Sequence, residues 1–222
     1  MAITRLGLYN GALLLCQSRA LASLTENREP RYLLDQVWQD GGVRACLEEG
    51  QWRFARRSAR LDYDPAVEPD WGPRRAFSKP TDWVATSAVC SDEYLKMPLI
   101  QYKDEAQYIF ADLDEIYVTY VSDDDNYGNN LAAWPPSFTE FVKAYFASKV
   151  VGKLSNDKAI IDKIIHPRTG ILDRYKLTAK NRDAQADPPK PLAQGSWSRA
   201  RQGAGSWNGP MGDGGSSGSL IG

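Results

Sequence analysis

Residues 115–150 read EIYVTYVSDDDNYGNNLAAWPPSFTEFVKAYFASKV, and the spacing of the apolar positions changes within this stretch. In 115–121, β-branched and aromatic residues crowd together, which favours a strand. A polar loop follows over 122–130. After it, Pro135-Pro136 opens a segment whose apolar residues recur every three or four positions, as on one face of a helix. The stretch therefore predicts a strand that ends before a long amphipathic helix begins.

The flanking sequence continues this separation of strands from helices. Residues 5–24 and 30–50 have apolar residues at helical spacing, and Gly41-Gly42 predicts a kink or a close contact in the second helix. Further helices are expected from about Ser155 and over about 170–186. Strand-like segments are found at 52–63, 83–90, 95–102 and 106–111. Their short connections predict antiparallel pairing.

This order of elements predicts an α+β fold with a helical bundle and a separate sheet region. We expect the helices of 1–50 and 131–186 to form one bundle domain. Residues 51–130 would be inserted as an antiparallel β domain, either a sandwich or a small barrel. The last 36 residues, 187–222, include 19 Gly, Pro or Ser, so they cannot form a core. We expect them to form an extended arm, called the C-terminal arm below.

A repeated tripeptide in the C-terminal arm predicts docking onto a partner. Gly-Ser-Trp occurs twice, ending at Trp197 and at Trp207, and Arg199 and Arg201 lie beside the first copy. Trp and Arg are enriched among the residues that anchor protein interfaces. We therefore interpret these four residues as assembly contacts. The alternatives are a chance recurrence and an expression remnant.

The charge of the chain gives no general reason to bind nucleic acid or an anionic membrane, because the net charge is −1. Arginines that could still contact phosphates are Arg56, Arg57, Arg60, Arg74 and Arg75. Neighbouring residues of a strand point to opposite faces, so no one-sided basic patch is expected. We favour intersubunit salt bridges for these arginines, with DNA contact as the alternative.

Catalytic and metal-binding patterns are missing from the sequence. Cys16, Cys46 and Cys90 lack redox or ligand spacing, which predicts buried thiols and assembly in a reducing cytoplasm. The single histidine, His166, has no nucleophile motif beside it, and the acidic run 123–125 lacks calcium-loop spacing. We therefore predict no enzymatic activity and no cofactor. A hydrolase with a hidden carboxylate pair is the enzymatic alternative.

Membrane insertion and export are not predicted either. No apolar run approaches the roughly 20 residues that span a bilayer. The first residues, MAITR, do not resemble a signal peptide.

Short motifs spread over about 5–200 carry a family resemblance. They are Leu8-Tyr9-Asn10, LLDQVW at 33–38, CLEEGQWRFA at 46–55, KPTDW at 79–83, YVTY at 117–120 and WPPSF at 134–138. As a series they resemble the tail tubular protein A family, the head-to-tail adaptors of short-tailed bacteriophages. The residues after Gly203 have no counterpart in this resemblance.

The resemblance implies a non-enzymatic homo-oligomeric ring, commonly a dodecamer, between the portal protein and the tail nozzle of a virion. The helical part would dock under the portal, and the β part would face the tail or outward. DNA would pass through the lumen without sequence-specific contacts. The alternative among structural proteins is another neck or tail-completion component with a different symmetry.

Overall fold

Helices occupy both ends of the described chain, and strands occupy its middle. The computed structural model describes residues 3–67, 69, 72–155 and 157–186, and within them lie six α-helices and six strands. The helices are α1 (Arg5–Leu15), α2 (Glu29–Gln39), α3 (Gly42–Glu48), α4 (Pro136–Leu154), α5 (Lys158–Ile165) and α6 (Ile171–Gln185). The strands are β1 (Arg56–Asp62), β2 (Arg75–Ser78), β3 (Trp83–Cys90), β4 (Lys103–Asp104), β5 (Tyr108–Ala111) and β6 (Glu115–Ser122).

The α+β prediction is confirmed, because the strands form two small antiparallel sheets beside the helices. One sheet has the order β1-β6-β3 and the other has the order β2-β5-β4. Strand β6, the predicted strand of the opening stretch, is central in its sheet. Its residues Ile116, Val118 and Tyr120 are fully buried.

Helix α4 organises the larger hydrophobic core, since each of the other five described helices contacts it. Its apolar face includes Phe138, Phe141 and Phe146, all buried. Trp52 enters this core from outside the helices, with its ring centroid 4.8 Å from that of Phe138. The indole N–H of Trp134 donates to the Gly128 carbonyl at 2.8 Å, which fixes the loop that leads into α4.

A second hydrophobic core draws side chains from both sheets. Phe77 and Ile109 come from one sheet, and Ile116 and Val118 come from the other. Trp83 stacks on Tyr120 in the same cluster, with ring centroids 4.2 Å apart. Aromatic contacts of this kind add to the stabilisation from burial alone. Helices and sheets together form one compact unit that ends at Ala186.

The helix predicted over 5–24 ends at Leu15 instead. Gln17 adopts a left-handed conformation with φ 55°. The backbone N–H of Ser18 then bonds to the Leu13 carbonyl at 2.9 Å, and that of Gln17 to the Leu14 carbonyl at 3.1 Å. These two bonds form a Schellman motif, which terminates a helix. Because glutamine rather than glycine occupies this position, the sequence gives no sign that the helix ends here.

The helix predicted over 30–50 is two helices, and the predicted close contact at Gly41-Gly42 is confirmed. Gly41 has φ 80°, a left-handed conformation that glycine adopts at little cost. A Cβ on Gly42 would lie 2.7 Å from the Val37 carbonyl oxygen and 3.2 Å from the Phe146 ring. The two glycines therefore allow α3 to turn against both α2 and α4.

The strand predictions needed three corrections. Residues 53–55 form a 3-10 turn rather than the start of a strand, because Trp52 is drawn into the helical core. The strand predicted over 95–102 is a loop with one isolated bridge, between Cys90 and Pro98. Strand β2 lies between the segments predicted as strands at 52–63 and 83–90, where no strand was predicted.

One helix start also differs from the prediction. Helix α5 begins after Asp157, whose side chain accepts the N–H of Ala159 at 2.9 Å. Ser155, near which the helix was expected to begin, instead accepts the N–H of Asp157 at 3.2 Å. The capping role thus passes to a residue two positions later, and its carboxylate is the stronger acceptor for a helix N-terminus.

Candidate assembly surface

The connection between β3 and β4 exposes large apolar side chains. This segment, residues 91–102, is called the 91–102 loop below. Tyr94 is 70% exposed, Met97 64% and Ile100 88%, and Leu95 and Tyr102 are also exposed. Single exposed apolar residues are ordinary on a monomer, but several within one short loop are typical of an interaction site.

Hydrogen bonds hold the 91–102 loop in one conformation. The Asp92 carboxylate accepts the backbone N–H of Lys96 at 3.0 Å and that of Met97 at 2.7 Å. Because these N–H groups favour the ionised form, the pKa of Asp92 is held below its usual value. The N–H of Leu99 donates to the Val89 carbonyl at 2.8 Å. The apolar side chains are therefore displayed on an ordered support.

A left-handed residue lies at the centre of this loop. Leu95 has φ 55°, which is uncommon for a residue with a Cβ and costs conformational energy. Sequence reasoning missed the loop because the apolar residues of 95–102 suggested a strand. The available signals were Pro98, which cannot donate in a ladder, and Asp92, a residue type that closes turns.

Three of the five candidate arginines have carboxylate partners in their own chain. Arg57 pairs with Asp82 at 3.0 Å, and Arg75 pairs with Asp114. Arg60 pairs with both Asp62 and Glu115, at 3.0 and 2.7 Å. The positive charges are thus matched within the subunit, and they do not add up to a basic patch.

The other two candidate arginines lie apart. The backbone N–H of Arg74 donates to Asp112 at 2.8 Å, before β2 begins. Arg56 starts β1 opposite Val121, and its Nε is buried with no hydrogen-bond partner among the described residues. Arg56 and Arg57 point to opposite faces of β1, as strand geometry requires.

Asp82 is the centre of a polar cluster at one end of the first sheet. Its carboxylate accepts hydrogen bonds from Arg57, from the Tyr120 hydroxyl at 3.2 Å and from the Ser122 hydroxyl. Burial alone would raise the pKa of Asp82, but the hydrogen bonds from Ser122 and Arg57 outweigh it and hold the pKa below its usual value. The cluster, called the Asp82 cluster below, fastens three strands together.

The predicted assembly contacts Trp197, Arg199, Arg201 and Trp207 lie outside the described residues, as does the whole C-terminal arm. The structure therefore leaves these contacts as predictions from the sequence.

The cysteines, the histidine and the acidic run, which could carry chemistry, occupy structural positions. Cys16, Cys46 and Cys90 are buried free thiols, as predicted. His166 is exposed after α5, with Nδ1 3.0 Å from the Thr169 hydroxyl. Asp123, in the acidic run, pairs with Arg44 at 2.5 Å. Among residues 3–67, 69, 72–155 and 157–186, no group of three or more His, Cys, Asp or Glu could hold a metal ion.

Two clefts are lined by described residues of the sheets and helices. The first has a volume of about 660 Å³ and lies between the start of β3 and the β4–β5 connection, where Asp104 accepts from the Thr86 hydroxyl and from Lys79. Asp104 is the one carboxylate among the described lining residues. The second has a volume of about 390 Å³ and is lined by Trp52, Arg53, Phe54, Pro135, Ser137, Phe138, Ala179, Arg182, Asp183 and Ala186.

Among the described helices, none combines the length and the hydropathy that crossing a bilayer requires. No known protein-family model matches the chain, and no curated protein aligns with it significantly. The resemblance carried by the short motifs therefore stays a prediction.

Proposed function

We propose that the chain is a structural subunit of a bacteriophage head-to-tail adaptor ring. In this proposal about twelve copies form a ring that joins the portal protein to the tail nozzle in the virion neck. The genome passes through the lumen of the ring. The subunit has no catalytic role, and it is assembled in the host cytoplasm.

The 91–102 loop carries the proposal. It exposes Tyr94, Met97 and Ile100, and the Asp92 carboxylate accepts the backbone N–H of Met97 within it. An interface residue that is ordered before binding loses little entropy when a partner covers it. A ring subunit needs such surfaces, because each copy must contact two neighbours and the components above and below it.

The presence of two hydrophobic cores supports a subunit that contacts a different component at each end. We interpret the helices around α4 as a bundle domain and the two sheets as a small sandwich domain. In the proposed ring, the helical end faces the portal, and the β end with its 91–102 loop faces the tail or the outside. Short motifs that resemble the adaptor family occur in both parts of the chain.

The arginines that pair with carboxylates favour a ring through which DNA passes over a module that binds nucleic acid. Arg57, Arg60 and Arg75 are each paired with a carboxylate, so binding DNA would first have to break an ion pair. A channel that held phosphates tightly would slow the passage of a genome. The alternative proposal, another neck or tail-completion protein, shares these features and differs in symmetry.

Electron microscopy and a DNA-binding assay test the proposal together. The purified chain should form rings, alone or on a portal protein, and should retain little duplex DNA at any salt concentration. Monomers under both conditions would count against a ring subunit. Steep loss of DNA binding between about 50 and 200 mM salt would favour the nucleic-acid-binding module.

A further inference from the structure

The two edges of the first sheet, which has the order β1-β6-β3, differ in how they are covered. Strand β3 forms one edge, and other parts of the chain bond to its carbonyls. The Trp83 carbonyl accepts from Arg44 at 2.7 Å, and the Thr86 carbonyl accepts from Gln51 at 2.9 Å. The 91–102 loop adds a hydrogen bond to the Val89 carbonyl at 2.8 Å. The chain therefore covers its own β3 edge.

Strand β1 forms the other edge, and its register with β6 shows which backbone groups point outward. That register continues to Tyr63, whose N–H donates to the Asp114 carbonyl at 3.3 Å. Odd-numbered residues of β1 therefore direct their backbone groups at β6, and even-numbered residues direct theirs away from the sheet. Beyond β1, the outward N–H of Asp64 reaches the Ala76 carbonyl at 2.7 Å. Along β1 itself, no strand of the described chain pairs with this side.

Charges at the two ends of the β1 edge complement each other. Arg56 has no carboxylate partner among the described residues, and its Nε is buried there without a hydrogen bond, which is costly. Asp62 is 72% exposed and shares Arg60 with Glu115, which lies closer to that guanidinium, at 2.7 Å against 3.0 Å. Asp62 can therefore take another partner without leaving Arg60 unpaired.

A second β1 placed antiparallel to the first brings these two ends together. With Ala59 of both copies on a two-fold axis, Arg56 of each copy is opposite Asp62 of the other. The same arrangement places Arg57 opposite Leu61. Side chains that are directly opposite across two strands lie close enough to form an ion pair. The unpartnered arginine and the exposed carboxylate would thus satisfy each other between copies.

Charge also selects this register over its neighbours. A shift by one residue would place the inner-face residues of one copy opposite the outer-face residues of the other. A shift by two residues in one direction places Arg56 opposite Arg60, and in the other direction it places Arg60 opposite itself. Like charges directly opposite each other destabilise a strand pair. The register centred on Ala59 avoids both conflicts.

We propose that the β1 edge pairs with the β1 edge of a second copy, so that the two three-stranded sheets become one continuous sheet. About six backbone hydrogen bonds and a symmetric pair of Arg56–Asp62 ion pairs hold the contact. A two-fold contact uses the same surface on both copies. It is therefore additional to the head-to-tail contacts of the proposed ring and does not depend on them.

Charge reversal tests the contact in the full-length protein by analytical ultracentrifugation. We expect a monomer–dimer equilibrium at micromolar concentrations, with rings sedimenting as a separate, larger species. Arg56→Asp alone and Asp62→Arg alone should each weaken the dimer about tenfold or more, because each places like charges opposite each other. The double variant should restore it, and a mixture of the two single variants should form a mixed dimer. A wild type that never forms dimers, or variants that all dimerise equally, would overturn the proposal.

A proline on the β1 edge tests the backbone pairing. Ser58 is an even-numbered residue, so Ser58→Pro removes an outward N–H and should abolish the dimer, while edge strands tolerate proline at such positions. Ser58→Ala is the matched control, since it loses the same hydroxyl and keeps the N–H. Equal dimerisation of the two variants would overturn the strand pairing. The thermal midpoint shows whether the proline variant folds, and if it is unfolded the charge variants decide.

Disulfide trapping tests the register. Ala59→Cys places a thiol on the axis, where the two Cα atoms of a non-hydrogen-bonded pair are about 4.5 Å apart, within disulfide range. Arg60→Cys would meet itself only in a register shifted by two residues. The three native thiols are buried and should not interfere. We expect oxidation to cross-link Ala59→Cys. Faster cross-linking of Arg60→Cys would overturn the register, and no cross-link in either variant would overturn the contact.

The outcomes separate this inference from the proposed function. Dimers that respond to the β1 variants, without rings alone or on a portal protein, would support the strand pairing and contradict the adaptor. Rings without such dimers would support the adaptor and contradict the strand pairing.

Discussion

Arg57 and Asp82 form an ion pair, 3.0 Å between Nη1 and Oδ2, that joins the first strand of a sheet to the turn before its third. Strand β6 lies between them and contributes Tyr120 and Ser122 to the same carboxylate. The Asp82 cluster therefore fixes the relative positions of β1, β6 and β3. This contact holds in place the strand from which the 91–102 loop departs.

Replacing Asp82 by Asn should destabilise the protein. Asn cannot accept all of the hydrogen bonds that the carboxylate accepts, and it leaves Arg57 without its counter-charge. We expect the free energy of unfolding at pH 7 to fall by about 1–3 kcal/mol in urea denaturation. Asp62→Asn is the matched control, because its pair with Arg60 is exposed and should change stability by less than about 1 kcal/mol.

The loss in the free energy of unfolding caused by Asp82→Asn should also depend on pH. The pKa of Asp82 is lowered in the folded protein, so the carboxylate stabilises the fold above the unfolded pKa of about 4. That contribution disappears as the pH falls through the folded pKa. The wild type and the variant should therefore differ by a constant amount at pH 5–8 and converge below about pH 4. A difference that did not shrink as the pH fell below about 4 would contradict this role.

Tyr120→Phe should show the opposite dependence at alkaline pH. Burial raises the pKa of Tyr120 to about 12, and the nearby Asp82 carboxylate adds to the shift. A raised pKa keeps the hydroxyl protonated in the folded protein, so its contribution is complete below the unfolded pKa of about 10. Wild type should exceed the variant by about 1 kcal/mol at neutral pH. The two should converge between about pH 10 and pH 12, as measured by denaturation across that range.

Gly128→Ala tests the loop that leads from β6 into α4. A Cβ at this position would overlap the Ser122 carbonyl oxygen and lie 2.7 Å from Leu47. Backbone on one side cannot give way cheaply, so we expect a loss of about 1–3 kcal/mol in thermal or urea unfolding. Gly152→Ala is the control, since a Cβ there meets nothing within 4 Å inside α4. It should stabilise the protein by about 0.5–1 kcal/mol.

The sequence was sufficient for those parts of the fold that depend on local periodicity. Strands β3 and β6 and helix α4 follow from apolar spacing and from Pro135-Pro136. The α+β class follows from their order. The end of α1 at Leu15 could not be predicted, because the left-handed residue that follows it, Gln17, is not a glycine and leaves no sequence signal. Trp52 was assigned to a strand because its pull into the helical core is a long-range contact.

The candidate site was less accessible to prediction than the fold. The five arginines were identified by type, but their partners Asp82, Asp114 and Glu115 are distant in sequence and meet them only through strand pairing. The apolar residues of the 91–102 loop were visible, but alternation suggested burial. Exposure depends on the turn that Asp92 closes through local hydrogen bonds to Lys96 and Met97, which the spacing of apolar residues does not reveal.

Ile100→Asp should impair assembly while leaving the subunit folded. Ile100 is 88% exposed, so the charge costs the monomer little, whereas covering it by a partner would bury an unpaired carboxylate. We expect an unchanged unfolding midpoint and at least a tenfold rise in the concentration needed for oligomers, measured by analytical ultracentrifugation. The control is Leu177→Asp, at a 60% exposed residue of α6. Equal effects of the two variants would remove the special role of the loop.

The most direct test of the adaptor proposal is electron microscopy of the purified full-length chain, imaged alone and after mixing with a portal protein. We expect closed rings of about twelve subunits, formed in solution or on the portal. In those rings, the 91–102 loop would be covered by a partner. A chain that remained monomeric both alone and with the portal would contradict the proposal.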